Sequence, residues 1–172
     1  MEREWHSHIK KHGKYRSGFE KQIADTLKEA EVMFRHEPEG IPYKNNTGSH
    51  YYYPDFVVRL KDGTRVFLEV KGYMPLEASI KMRCVKWQNP DRIIWFIFQD
   101  GKTKVGSRKS TNMTWAKRYG FPAAEKTIPP EWLEQFMTKE EWKARRDVDN
   151  LLKDIAPQNW GAQKREVSGP ST

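Results

Sequence analysis

Apolar residues along this chain fall into short runs with two periods, and the runs predict a small set of helices and strands. Phe19, Ile23, Leu27 and Ala30 recur every three or four residues, the stripe of a helix packed on one side. Ser17 with Glu20 three positions later has the spacing of a capping box, which sets the helix start. A short strand is expected over 32–36, "VMFRH", followed by an extended connector over the breaker-rich 37–50. Residues 51–72, "YYYPDFVVRLKDGTRVFLEVKG", read as two strands around a turn at Asp62-Gly63. Pro75 then opens a helix whose Leu76, Ile80, Cys84 and Trp87 form the expected core stripe. "RIIWFIF", 92–98, is continuously apolar and β-branched or aromatic, as a central strand should be. A loop over 99–110 and short helices over 114–120 and 129–136 follow, the first closed by Gly120. Thr138 and Glu141 repeat the capping-box spacing and open a helix to about Ile155.

This order of elements predicts an α/β fold with a mixed sheet flanked by helices. The expected organisation is a flexible basic arm (1–16), a folded domain (17–136), a C-terminal helix (137–156) and a disordered tail (157–172). The three consecutive tyrosines, Tyr51 to Tyr53, fit alternating strand packing better than a base-stacking platform.

The turn matters because its length decides which charges meet. With a two-residue Asp62-Gly63 turn, Asp55 faces Val70 and points away from Glu69 and Lys71. With a three-residue loop, Lys61-Asp62-Gly63, Asp55 lies opposite Glu69, and Lys71 shares their face. That second register also sets Arg59 against Arg65, and like charges across a ladder repel. Either the first register holds, or something neutralises the charges.

A hard divalent cation would neutralise the carboxylates. Mg²⁺ takes carboxylate and water ligands and often a substrate phosphate, and it assists phosphoryl chemistry. A lysine alongside can hold water and counter developing charge. Two carboxylates and a lysine on one face are therefore a minimal kit for phosphodiester hydrolysis, although the short motifs also occur separately on solvated faces. Charge points the same way: 31 Lys and Arg against 23 Asp and Glu leave +8, which favours an anionic partner such as nucleic acid. The arm residues Lys10, Lys11, Lys14 and Arg16, and the loop residues Lys102, Lys104, Arg108 and Lys109, are the candidate phosphate contacts. Both segments also admit the plain reading of solvated, mobile chain. The single Cys84 excludes an intrachain disulfide and a thiolate zinc cluster. No apolar run approaches the roughly 18 residues of a membrane span, and no signal-peptide core is visible at the start, so the expectation is a cytoplasmic protein with no membrane partner.

A "PD" at a strand start, a hairpin and then "ExK" resemble the PD-(D/E)xK nuclease superfamily. More narrowly, "YRSGFE" (15–20), "IPY" (41–43), "YPDF" (53–56), "LEVKG" (68–72) and "IPPEW" (128–132) resemble, in this order, the phage endonuclease I family of Holliday-junction resolvases. The resemblance spans about residues 10–136 and implies a restriction-endonuclease-like core. It implies catalytic residues Glu20, Asp55, Glu69 and Lys71. It also implies Mg²⁺, with Mn²⁺ able to substitute and two ions per site, on Glu20, Asp55, Glu69 and the Val70 carbonyl. Glu20 equally fits the plain role of a helix cap. One departure stands out: Arg35 occupies a position where the family carries an acid, with Glu37 two residues on as a doubtful helper.

The resemblance further implies an entwined homodimer, crossing through 37–50, whose sites take Glu20 from one chain and Asp55, Glu69 and Lys71 from the other. The implied activity is cleavage of four-way and other branched DNA to 5′-phosphate and 3′-hydroxyl ends, in the host cytoplasm if phage-encoded. A related nuclease cutting linear duplex, or an inactive binder of branched DNA, are the competing readings.

Overall fold

The structure is a computed structural model describing residues 15–155, with side chains to 150. The arm residues Lys10, Lys11 and Lys14, and the tail 157–172, lie outside the described residues. Two compact units divide the chain, residues 1–138 and 139–172.

In the first unit, α1 (Gly18–Glu29) begins where the sequence places it: Ser17 is the N-cap, and its hydroxyl accepts from the Glu20 N–H at 3.0 Å. The main sheet has β1 (Phe34–His36), β4 (Phe56–Arg59), β5 (Arg65–Lys71), β6 (Ile93–Phe98) and β7 (Ala123–Glu125), in that spatial order. β1, β4 and β5 pair antiparallel, whereas β5, β6 and β7 pair parallel, so the sheet is mixed as expected. The parallel step from β5 to β6 passes through α2 (Leu76–Gln88). α1 packs on one face of the sheet, with Ile23 and Leu27 against Phe56, Val58, Leu68 and Val70. The other face buries Phe67, Phe96 and Phe98 against Met82, Val85 and Trp115, from α2 and from α3 (Asn112–Arg118). The short α4 (Pro130–Leu133) closes the unit. The second unit contains α5 (Lys139–Ile155), the helix predicted from the second capping box. Among the described residues, no helix is long and apolar enough to cross a membrane.

The structure corrects three expectations. The connector 37–50 is not simply extended: it holds most of a hairpin, β2 (Ile41–Asn45) and β3 (Gly48–Tyr52), which forms its own two-stranded sheet. Its polar composition reflects two strands with one exposed side. β7 was not predicted because three residues carry too little pattern. The third correction is α2, which turns Ile80 and Trp87 of its predicted stripe outward. Ile80 is 45% exposed and Trp87 82% exposed, while Ser79, Met82 and Val85 are buried. This helix carries a second apolar set, Ala78, Met82 and Val85, on nearly the opposite side, so periodicity alone could not choose between them.

Candidate active site

The site grows from the end of the β4–β5 hairpin. Leu60 N–H donates to Thr64 O at 2.8 Å, enclosing the three-residue loop Lys61-Asp62-Gly63. Gly63 adopts a φ of +94°, open to glycine and unfavourable for other residues. Asp62 holds the loop by accepting from the Thr64 N–H at 2.7 Å. The register is therefore the second of the two alternatives: Arg59 pairs with Arg65 and Phe56 with Leu68. Continued by one residue, it sets Asp55 opposite Glu69. The two arginines are relieved separately. Arg59 donates to Gly63 O at 3.0 Å, and Arg65 pairs with Glu39 while lying over the Phe67 ring.

Asp55 and Glu69 are 7% and 2% exposed, so both carboxylates leave water. The Val70 N–H donates to Asp55 Oδ2 at 2.7 Å. Lys71 Nζ lies 2.5 Å from Glu69 Oε1, and the Tyr52 hydroxyl donates to Glu69 Oε2 at 2.5 Å. Burial, reinforced by the charge of Glu69, pushes the Asp55 carboxyl well above the usual carboxylate range, against the opposing pull of Lys71 and the Val70 N–H. Burial pulls the Lys71 ammonium down, but Glu69 and Asp55 outweigh it and the net shift is upward. Lys71 is thus a cation at neutral pH.

Glu20 takes the helix-start role that its position allows. Its backbone is held by the Ser17 cap, while its buried carboxylate accepts from the Arg16 N–H at 3.1 Å and meets His36 Nε2 at 2.6 Å. His36 is packed edge-on against Tyr15 and against Phe56, which fixes the ring. Glu20 acts electrostatically on Asp55 from across the cleft, within one chain. Glu37 does something else. Its N–H donates to Asp55 O at 2.8 Å from a left-handed backbone (φ +43°), and its carboxylate pairs with Arg16 at the exposed rim. Arg35 points to Glu39, away from the cleft.

Asp55 and Glu69 fit a hard cation: two buried carboxylates face each other and repel, and Lys71 forms its ion pair with Glu69 alone. The described residues hold no group of three or more His, Cys, Asp or Glu poised around one point. A cation on Asp55 and Glu69 would draw its remaining ligands from water and substrate phosphate, the usual arrangement for Mg²⁺.

The basic loop borders this edge of the sheet. Gln99 N–H donates to Lys71 O at 2.9 Å, and Gly106 N–H donates to Met74 O at 3.0 Å. Lys102, Lys104, Arg108 and Lys109 on it are all exposed, with Arg118 of α3 beside the last two. Three residues at the cleft were not singled out by the sequence: Tyr52, His36 and Lys81. For Tyr52 a signal existed, since strand alternation that exposes Tyr51 and Tyr53 must turn Tyr52 inward. His36 and Lys81 carry no local signal, because only the β1–β4 pairing and the packing of α2 bring them in.

The sequence model of the family described as phage endonuclease I matches residues 1–147. The chain is 30% identical over 128 residues to the Endonuclease I of Escherichia phage T7, covering 74% of this chain and 83% of that protein. It is 29% identical over 116 residues to the Endodeoxyribonuclease 1 of Enterobacteria phage T3, covering 67% and 74% respectively.

Proposed function

We propose that this chain, which belongs to the phage endonuclease I family, is a metal-dependent endodeoxyribonuclease that resolves Holliday junctions and other branched DNA. The observation that carries the reading is the hairpin register, which gathers Asp55, Glu69 and Lys71 on one buried face beside a basic loop.

Asp55, Glu69 and the Val70 carbonyl would hold Mg²⁺, or Mn²⁺ in its place, with Glu20 near enough to act on Asp55. When bound, the metal supplies Lewis acidity toward the phosphate and steadies the leaving oxygen. The chain's own groups do the rest. Lys71, kept protonated by Glu69, donates hydrogen bonds to the attacking water and offsets charge on the phosphoryl oxygens. Asp55 is anchored by the Val70 N–H, which fixes one of its two oxygens. The Tyr52 hydroxyl holds Glu69 in turn. The water oxygen bonds to phosphorus and gives up a proton to solvent, the P–O3′ bond breaks, and the 3′ oxygen takes a proton from solvent and leaves as a hydroxyl. The products are 5′-phosphate and 3′-hydroxyl ends.

Cutting both strands of a junction needs two such sites, which a homodimer supplies. The β2–β3 hairpin offers a route to an entwined form: opening its turn at Asn46–Thr47 would lay both strands end to end. α1 and β1 would then cross to a partner and rebuild the same pairing and the same cleft there. Junctions are recognised by shape, so contacts to phosphate from the loop 102–109 and the arm dominate. The working compartment is the host cytoplasm, where the DNA lies.

The test compares a synthetic four-way junction with a linear duplex of the same sequence, in Mg²⁺, using Asp55→Ala and Lys71→Ala as controls. Paired nicks in the junction alone, lost in both variants, are expected. Equal cutting of both substrates would replace junction selectivity with a general duplex nuclease. Tight junction binding without any cleavage would leave a binding module.

A further inference from the structure

Lys81 is set apart from the other surface lysines by what surrounds it. It sits on the flank of α2 that faces the small hairpin, two turns before Gln88, whose side chain exchanges hydrogen bonds with the Lys44 backbone of β2 at 2.7 and 2.8 Å. Its ammonium lies 5.6 Å from the centre of the Tyr52 ring, and Tyr52 in turn holds Glu69. No carboxylate among the described residues forms an ion pair with it, although Glu69 and Asp55 are near enough to act on it. Burial pulls this ammonium below the ordinary lysine value, with Glu69 opposing and Lys71 adding to the fall. A half-buried cation next to an anionic cleft, held by a ring face and paired with no acid, is under-neutralised. Lys71 differs, being ion-paired with Glu69.

We propose that Lys81 forms a second phosphate subsite, binding a backbone phosphate that flanks the scissile bond in the DNA strand crossing the cleft. The reading rests on the proposed nuclease function. It adds the path of the strand: from the carboxylates toward the hairpin flank of α2, over Tyr52. A lysine suits this task, being a compact charge on a flexible stem that follows a moving phosphate. The opposite rim offers no equivalent, because Arg16 there is already paired with Glu37.

The experiment measures binding of the full chain to a labelled four-way junction in EDTA between 50 and about 200 mM salt. Lys81→Met, which keeps the packing length of the stem, and Lys81→Arg, which keeps the charge, are compared with the unmodified protein. Lys81→Met is expected to weaken binding about tenfold and to flatten the log–log salt slope by about one unit, as for one lost phosphate contact. Lys81→Arg restores both, and saturating Mg²⁺ and DNA bring the Lys81→Met turnover within about threefold of normal. Unchanged affinity and slope in Lys81→Met overturn the subsite while leaving the nuclease standing, provided the unmodified protein still cuts. A fall in thermal stability with an unchanged salt slope also overturns it, and makes Lys81 a packing residue of Tyr52. If the unmodified protein neither binds nor cuts DNA, the nuclease reading fails first and the subsite with it.

Discussion

The hydroxyl of Tyr52 donates to Glu69 at 2.5 Å, across the gap between the β2–β3 hairpin and the main sheet, so the two sheets meet at a buried carboxylate of the candidate site. Burial and the charge of Glu69 push the phenol well above its ordinary range, so Tyr52 is a donor throughout the working pH range. The hairpin thus orients a residue of the candidate site.

Tyr52→Phe removes only that donor. Partners of this kind typically contribute about 10- to 100-fold in metal affinity or activity. The expected outcome is a Mg²⁺ requirement raised about tenfold or more, with thermal stability little changed, read from cleavage rate against Mg²⁺ concentration. An unaltered Mg²⁺ curve would reduce Tyr52 to a packing residue.

Asp55→Asn should abolish cleavage and yet stabilise the protein when no metal is bound. Asp55 holds its proton more tightly folded than unfolded, where the value is about 3.9. Its favourable contribution is complete below that unfolded value and is lost as pH rises through the raised folded one. Melting curves in EDTA should therefore show Asp55→Asn more stable than the unmodified protein at pH 8, with the difference vanishing near pH 3. Adding Mg²⁺ should raise the melting temperature of the unmodified protein alone. A less stable Asp55→Asn at pH 8 in EDTA would contradict the burial argument.

Gly63→Ala tests the loop that sets the register. A side chain at φ +94° costs about 1–2 kcal/mol. Denaturant unfolding should show that loss, while cleavage at low temperature persists because the three-residue loop, and with it the Asp55–Glu69 pairing, is retained. No change in stability would mean that the loop adopts another conformation in solution.

The two faces of α2 separate by mutation. Met82→Ala should cost about 2–5 kcal/mol as a fully buried truncation. Trp87→Ser, on the outward stripe, should stay within about 0.5 kcal/mol in spite of the larger side chain removed. A reversed order in chemical denaturation would return the outward stripe to the core.

Much of this molecule is written locally. Ser17 and Glu20 mark the start of α1 because a cap is a three-residue affair. β6 is legible because a strand covered on both faces must be continuously apolar. The pair Glu69 and Lys71 falls on one face by strand alternation alone. The sequence also narrows Asp55 to two positions, according to loop length.

Only the tertiary structure chose between those two, because the repulsion of Arg59 and Arg65 is relieved by Glu39, which is distant in sequence, and by the Gly63 carbonyl. It chose the face of α2 for a similar reason: two apolar stripes compete, and the aromatic surface of Phe67, Phe96 and Phe98 decides which one is covered. Tyr52, His36 and Lys81 reach the cleft through strand pairing and helix packing between segments far apart in the chain. Local pattern fixes which residues share a face. Which faces meet, and which charges are thereby neutralised, depends on contacts that no short window of sequence contains.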